Sequence, residues 1–407
     1  MSGREDGWPH VIVLDPYAAG LAIARRMSRL GAAVTMVIEP GDRFAAASNC
    51  AAKEILDFEP ESWLELVARI AGDGRGCVAV PATDRSCELL LAGAGRLPEN
   101  VRAFERGGAG HRALMDKELA ESVARRAGVA VPWTAQVRGG EDLEAALARA
   151  PWPCVAKPVL SHEWRARYGE QRAFLVADAE GARAVLERPL GDGVGMLLCQ
   201  YVPGGDDDVE EAILVRLADG SYPVAFGCRK LRQNPPGFGA TAVGESSTLP
   251  ATTALAKRVL EQAGFVGVAG VETKRDARTG ERWFLEVNVR VPGQWSLGDT
   301  AGARVTPRLV AALAGRPLGE QPPLREGVRL VHPDADAQVL RIALSGVSAG
   351  ERPALALRML RLYAGARDFG ILDRRDPGPG LAFAGELLRR RLAGAGRRLG
   401  LARVHAG

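Results

Sequence analysis

The sequence predicts an α/β chain laid out in three stages: a parallel-sheet domain, an α+β domain made of a lid and an antiparallel sheet, and a small helical C-terminal region. Three observations carry this. Over the first 110 residues, apolar runs of strand length alternate with helical stretches, the rhythm of a parallel sheet with crossover helices. From residue 111 to about 330 the strands come instead in pairs around tight turns, as in antiparallel hairpins. From 331 to 407 the chain is rich in Arg, Ala, Leu and Gly and reads as helix. A length of 407 residues has room for two or three such units.

Taken in order, HVIVLD (10–15) is a strand, and PYAAGLAIARRMSRLG after it is a helix that Gly31 ends. AAVTMVIE (32–39) is a second strand, ESWLELVARIA a helix, and GCVAVPATD (76–84) a further strand. The first turn, Asp15-Pro16-Tyr17-Ala18-Ala19-Gly20, has one glycine where a dinucleotide fingerprint has three, which argues against NAD or FAD chemistry. HRALMDKELAESVARRAGVAVPWT is a helix ended by Gly128 and followed by an extended piece. PWPCVAKPVL (151–160) is a strand with one lysine, and LLCQYVPG (197–204) a strand that runs into a turn. EEAILVRLADGSYPVAFGCRKLRQ is a hairpin turning at Asp219-Gly220. GFVGVAGVETKRDARTGERWFLEVNVRV is another, turning near Arg278-Thr279-Gly280.

Composition excludes several classes. Apolar residues make up 47% and charged residues 25%, the balance of a soluble globular protein. No apolar run is long enough to span a membrane, and VIVLD is too short for the core of a signal peptide, so a cytoplasmic protein is expected. The six cysteines lack C-x-x-C spacing and the five histidines are scattered. Neither a zinc site nor a disulfide framework is expected. The net charge of +4 is uneven: from Leu381 onward there are six arginines and one Glu, leaving the rest near −1. That distribution does not suggest a nucleic-acid-binding protein, and the basic tail reads as a solvated helix face.

The segment FLEVNVRVPGQ (284–294) carries the most chemistry. Phe284, Leu285, Val287, Val289 and Val291 are apolar, and alternation places Glu286, Asn288 and Arg290 on one side. Glu and Asn offer hard oxygens suited to Mg²⁺, and Arg a donor fork suited to phosphate or carboxylate. Glu272 lies fourteen residues before Glu286 on the other arm of the same hairpin, so pairing can set the two carboxylates side by side. Facing carboxylates repel unless cations sit between them. Lys157 is a lone charge on an apolar strand, costly unless a counter-charge arrives.

Five elements in order resemble the ATP-grasp superfamily over residues 111 to about 300. They are Asp116-Lys117 heading a helix, Val155-Ala156-Lys157-Pro158, the hinge Gln200-Tyr201-Val202-Pro203-Gly204, Glu272 with Lys274, and Glu286-Val287-Asn288 followed by Arg290. Residues 1–110 resemble, less specifically, the Rossmann-like domain that precedes the grasp. The resemblance implies ATP and Mg²⁺ as cofactors, with a lid at about 151–200. It implies that Lys157 meets the α/β-phosphates and Lys117 the nucleotide, and that Gln200, Tyr201 and Val202 line the adenine. Asp206 or Asp207 would hold the ribose, and Lys274 would join the nucleotide site. Glu272, Glu286 and Asn288 would bind magnesium, and Arg290 would face the transferred phosphoryl group or the acyl intermediate.

Two loops depart from the commonest pattern of that superfamily. The loop after Lys157, SHEWRARYGEQRAF, has His162, Arg165, Arg167 and Arg172 with a single glycine, Gly169. Arg229, Lys230 and Arg232 precede a Pro/Gly turn. Both loops resemble the branch containing carboxylate–amine ligases such as D-aspartate ligase. His162, Arg229, Lys230 and Arg232 are therefore candidates to meet phosphate or the acceptor carboxylate. The implied activity is ATP-dependent ligation of a small carboxylic acid to an amine through an acyl phosphate. A small-molecule kinase and a non-catalytic ATP-binding regulator are the alternatives. The resemblance also allows a homodimer.

Overall fold

A computed structural model describes residues 7–57, 59–72, 76–159, 164, 167–168 and 173–398 of the chain. His162, Arg165, Gly169 and Arg172 lie outside the described residues.

The N-terminal sheet contains β1 (His10–Leu14), β2 (Val34–Ile38), β3 (Ala52–Ile55), β4 (Cys77–Pro81) and β5 (Val101–Arg102). All pairings are parallel, in the order β3-β2-β1-β4-β5. β1, β2 and β4 are almost wholly apolar because helices cover both faces. Val11 and Val13 meet Ile23 and Met27 of the helix Ala18–Arg29. Ile12 and Leu14 point the other way, to Trp63, Val67 and Leu90.

The chain then forms two short helices, Ala109–Met115 and Lys117–Arg126, where one was expected. The break is Asp116, which sits in extended backbone while its carboxylate accepts the Leu119 N–H at 2.9 Å. A side chain that caps a helix start competes with helix continuation.

A small antiparallel sheet follows: β6 (Thr134–Val137), β7 (Cys154–Pro158), β8 (Phe174–Val176) and β9 (Met196–Gln200), in the order β6-β9-β7-β8. It begins before the expected lid boundary at 151, because β6 pairs with β9. The helices Gly140–Arg149 and Ala179–Gly191 cover one face, where Leu143, Leu147 and Leu186 meet Cys154, Ala156, Met196 and Leu198.

The large sheet has seven strands: β10 (Val209–Arg216), β11 (Val224–Asn234), β12 (Ala240–Ser247), β13 (Gly267–Arg275), β14 (Arg282–Asn288), β15 (Arg329–Val331) and β16 (Ala366–Asp368). Their order is β14-β13-β10-β11-β12-β15-β16. Ile213, Val215, Val224, Phe226 and Val268 pack one face of this sheet into the same core as Val11, Val13 and Met27 of the N-terminal domain. The region after 331 is not helical throughout, since β16 pairs in parallel with β15 and extends the large sheet. No described helix is long and apolar enough to cross a membrane.

The C-terminal segment also returns to the N-terminal domain. Arg25 Nε donates to Asp376 Oδ2 at 2.8 Å and Arg25 Nη2 to the Ile371 carbonyl at 3.0 Å. Asp376 further accepts from Ser48 Oγ at 2.7 Å and Asn49 N–H at 2.9 Å. Both charged partners are under 5% exposed. Asp376→Ala leaves a buried guanidinium without its carboxylate and is expected to lower stability by about 3–5 kcal/mol, read from the denaturant midpoint.

Candidate active site

Three carboxylates form a row across three adjacent strands. Glu211 on β10 is directly opposite Glu272 on β13, and Glu272 is directly opposite Glu286 on β14. Residues directly opposite in a ladder share a face, so all three project to the same side. The strand pattern from Phe284 does not deliver this by simple alternation. Glu272 faces Glu286 but Thr273 faces Phe284, so Leu285 is an extra, bulged residue. The bulge lets Phe284 enter the core while Glu286 is exposed on the opposite face.

Asn288 lies opposite Gly270. A Cβ at Gly270 would collide with Glu211 Oε1, so the missing side chain makes room for that carboxylate. Glu211 is 1% exposed, and neither oxygen has a hydrogen-bond partner among the described residues. Burial, reinforced by Glu272, pushes its pKa up to about 8. Lys230 Nζ donates to Glu272 Oε2 at 2.8 Å and to the Gly239 carbonyl at 3.3 Å. Burial raises the Glu272 pKa, and the nearby Lys230 charge only partly offsets it. For Lys230, burial acts against the charge, but attraction to Glu272 outweighs it and the ammonium is retained.

Arg290 closes the row. Its Nη2 donates to Asn288 Oδ1 at 3.3 Å and its Nε to Asp84 Oδ1 at 2.9 Å. Asp84 begins the helix after β4, at the edge of the parallel sheet where strand order reverses between β1 and β4. Nearby, Thr83 Oγ1 donates to Asp15 Oδ2 at 2.6 Å. The donor set here consists of two orphaned buried oxygens of Glu211, the carboxylates of Glu272 and Glu286, and the Asn288 amide oxygen. These hard oxygens fit Mg²⁺, and an ion there would relieve a desolvated carboxylate that has no hydrogen-bond partner among the described residues.

A second cluster lies where the two antiparallel sheets join. Gln200 ends β9; its N–H donates to the Trp133 carbonyl at 2.7 Å and its Oε1 accepts the Trp133 N–H at 3.1 Å. Tyr201 N–H donates to the Pro153 carbonyl, and the Pro203 carbonyl accepts from Ala277 N–H at the β13–β14 turn. The connection 201–205 is thus fastened to both sheets. Val202 is buried. Lys274 Nζ stands 4.9 Å from the Tyr201 ring centre, a cation–π contact. Burial lowers its pKa, with Asp208 and Asp206 opposing. Lys157 is exposed on β7, on the face away from the covering helices. Lys117 is exposed at its helix start.

Several expected residues stand elsewhere. Arg229 faces Glu210, not Glu211, and so projects from the opposite side of the sheet to Lys230. Adjacent residues of a strand cannot share a face. Arg232 is buried against the C-terminal helices, with Nη1 donating to Asp336 Oδ1 at 2.6 Å and Nη2 to the Met359 carbonyl at 2.9 Å. Asp206 has both oxygens engaged: Oδ2 by Gln233 N–H, and Oδ1 by Gln233 Nε2 and Gly237 N–H. Asp207 beside it is exposed. Arg167 Nη1 donates to the Asp192 carbonyl at 2.9 Å. Glu211 is the residue that sequence reasoning missed. Its signal was a charged side chain in phase with the buried Ile213 and Val215.

The raised pKa of Glu211 has a sign that can be tested. The folded chain keeps a proton that the unfolded chain loses above about 4.5, so the folded state binds more protons between there and about 8. Without divalent cations, stability should fall as pH rises through that window. Glu211→Gln should flatten the slope, and saturating Mg²⁺ should flatten it in the parent chain. Denaturant midpoints from pH 5 to 8.5 measure all three.

No family model matches the chain, and no curated protein matches its sequence. Solved structures do match in fold. One is N5-carboxyaminoimidazole ribonucleotide synthetase in complex with ADP, with a TM-score of 0.63 at 17% identity over 85% of this chain and 88% of that one. The enzyme of the same name from Thermus thermophilus matches with a TM-score of 0.58 at 22% identity over 78% and 81%. The Campylobacter jejuni biotin carboxylase–β,γ-ATP complex matches at 0.56 and 16% identity over 78% and 74%. The chain therefore has the ATP-grasp fold, the fold of N5-carboxyaminoimidazole ribonucleotide synthetase and biotin carboxylase.

Proposed function

We propose that the chain is an ATP-dependent ligase that joins a small carboxylic acid to an amine through an acyl phosphate. The observation that carries this is the row Glu211, Glu272, Glu286 and Asn288 ending at Arg290, which meets the N-terminal domain at Asp84. Structural neighbours named as a synthetase and a carboxylase, solved with ADP or an ATP compound, support the nucleotide and the ligase class.

In this reading Glu211, Glu272, Glu286 and Asn288 hold Mg²⁺, which when bound neutralises charge between the ATP phosphates. Lys230 holds Glu272 in place. Lys157 reaches the α/β-phosphates, and Lys117 is a weaker contact. Gln200 C=O and Val202 N–H meet adenine, with Tyr201 and Lys274 forming the adjoining wall. Asp207 takes the ribose, since the Asp206 carboxylate is committed to the β11 loop.

The acid binds in the crevice at the ends of β1 and β4, the place where open parallel sheets receive ligands. Its carboxylate oxygen attacks the γ-phosphorus and ADP leaves. The amine nitrogen then attacks the acyl carbon, loses a proton, and phosphate leaves. Arg290 stabilises the charge that develops on the phosphoryl and acyl oxygens. The remaining work is positioning.

The test is ADP release from Mg-ATP with a panel of carboxylic acids in the presence of hydroxylamine, which traps acyl phosphates as hydroxamates. Hydroxamate with at least one acid is expected. A stable phosphorylated product without hydroxamate means a kinase instead. Arg290→Ala should lower kcat by about 100-fold or more with a smaller effect on the KM for ATP. Glu286→Ala should abolish hydroxamate formation and weaken the Mg²⁺ dependence of ATP binding.

A further inference from the structure

Behind the β14 end of the row, three metal-ligating side chains meet from three separate elements. Cys87 comes from the helix after β4, Glu105 from the turn after β5, and His111 from the helix Ala109–Met115. One ligand atom from each lies within 4.8 Å of those of the other two, and all three residues are buried. Glu105 Oε2 and His111 Nε2 have no hydrogen-bond partner among the described residues. Unpaired polar atoms that deep are costly and call for an explanation. The other Glu105 oxygen, Oε1, stands 3.9 Å from His111 Nε2, so the two side chains face each other without a hydrogen bond. The His111 ring is held 4.6 Å from the Phe265 ring, which fixes its direction. Cys87 Sγ donates to the Val289 carbonyl at 3.6 Å.

We infer that Cys87, Glu105 and His111 form a structural site for a divalent transition ion, with Zn²⁺ the fitting occupant. Thiolate, carboxylate and imidazole are each ordinary zinc ligands, whereas Mg²⁺ would not favour this mixed sulfur and nitrogen set. The charges close: one thiolate and one carboxylate neutralise the 2+ ion, and His111 contributes neutral nitrogen. The buried site therefore carries no net charge. Binding releases the Cys87 thiol proton to solvent, together with the proton of Glu105 wherever its buried carboxyl holds one, with no redox change. Three protein ligands leave one tetrahedral position to be filled by a water.

The site's position gives it a task. Cys87 is on the helix that begins with Asp84, the partner of Arg290, and its sulfur touches Val289, the neighbour of Arg290. An ion there fastens both supports of Arg290 to the start of the ATP-grasp region. Local spacing could not announce this site, because its ligands are eighteen and six residues apart and belong to no known short pattern.

The test uses the full chain, purified without chelator and kept in excess Mg²⁺ so that the acidic row is occupied. Metal analysis should find about one zinc per chain. Stripping the metal and adding Co²⁺ should give a near-ultraviolet thiolate-to-cobalt absorption and visible bands of tetrahedral intensity. Cys87→Ser should abolish the thiolate absorption, and Glu105→Gln should weaken Co²⁺ binding at least about tenfold. A Cys50→Ser, Cys199→Ser double variant, which removes the two partly exposed thiols, should keep it. If Cys87→Ser does not fold, the parent chain and the double variant still decide. Absence of the absorption from the parent chain overturns the inference. So does its loss in the double variant, or its survival in a folded Cys87→Ser.

Discussion

Mutual repulsion among Glu211, Glu272 and Glu286 is the constraint around which the centre of this molecule is arranged. Three carboxylates directly opposite one another on adjacent strands destabilise a sheet unless positive charge is supplied. The protein supplies part of it permanently: Lys230 is buried beside Glu272, and Arg290 bounds the row next to Asn288. It leaves the rest unsupplied, most plainly at Glu211, which is buried without a partner among the described residues. A sheet that tolerates such a deficit is built to be completed by a cation from solution. The deficit also explains the backbone around it. Gly270 is bare so that Glu211 can lie over it, and the bulge at Leu285 turns Glu286 outward without pulling Phe284 from the core.

The nucleotide end obeys a different constraint. The connection after β9 must join two separate sheets and still present backbone groups, so it is short, irregular and fastened on both sides. Pro153 and Trp133 hold it to the small sheet, and Ala277 holds it to the large one. Polar backbone in such a connection needs partners, and it finds them in the turns it bridges.

Much of the fold was legible because period and turn chemistry agreed. The buried strands β1, β2 and β4 and the two hairpins fall where the apolar runs and the Asp-Gly and Thr-Gly turns put them. Strands β3 and β5 were not legible: AKEI is half charged and mostly exposed, and Val101–Arg102 is two residues long. β16 was missed for the same reason, since three residues between helices carry no period. At the site, the β13–β14 pairing of Glu272 with Glu286 follows from their distance across one turn. Glu211 depended on a third strand sixty residues upstream, and no local pattern reports that register. The faces of Arg229 and Lys230 were lost by treating a basic run as one patch, although neighbours on a strand point to opposite sides.

The Arg25–Asp376 pair has a bearing on how the chain is made. The partners are 351 residues apart, yet the bond lies within the first domain's own helix layer. As synthesis proceeds from the N-terminus, the β1–β5 sheet can assemble long before Asp376 exists. During that interval Arg25 faces water where the finished molecule has a sealed interior. The parallel-sheet domain, translated ahead of the two regions that follow it, is thus among the last to be completed. A chain truncated before residue 376 would keep every strand of all three sheets and still lack the group that closes the first one.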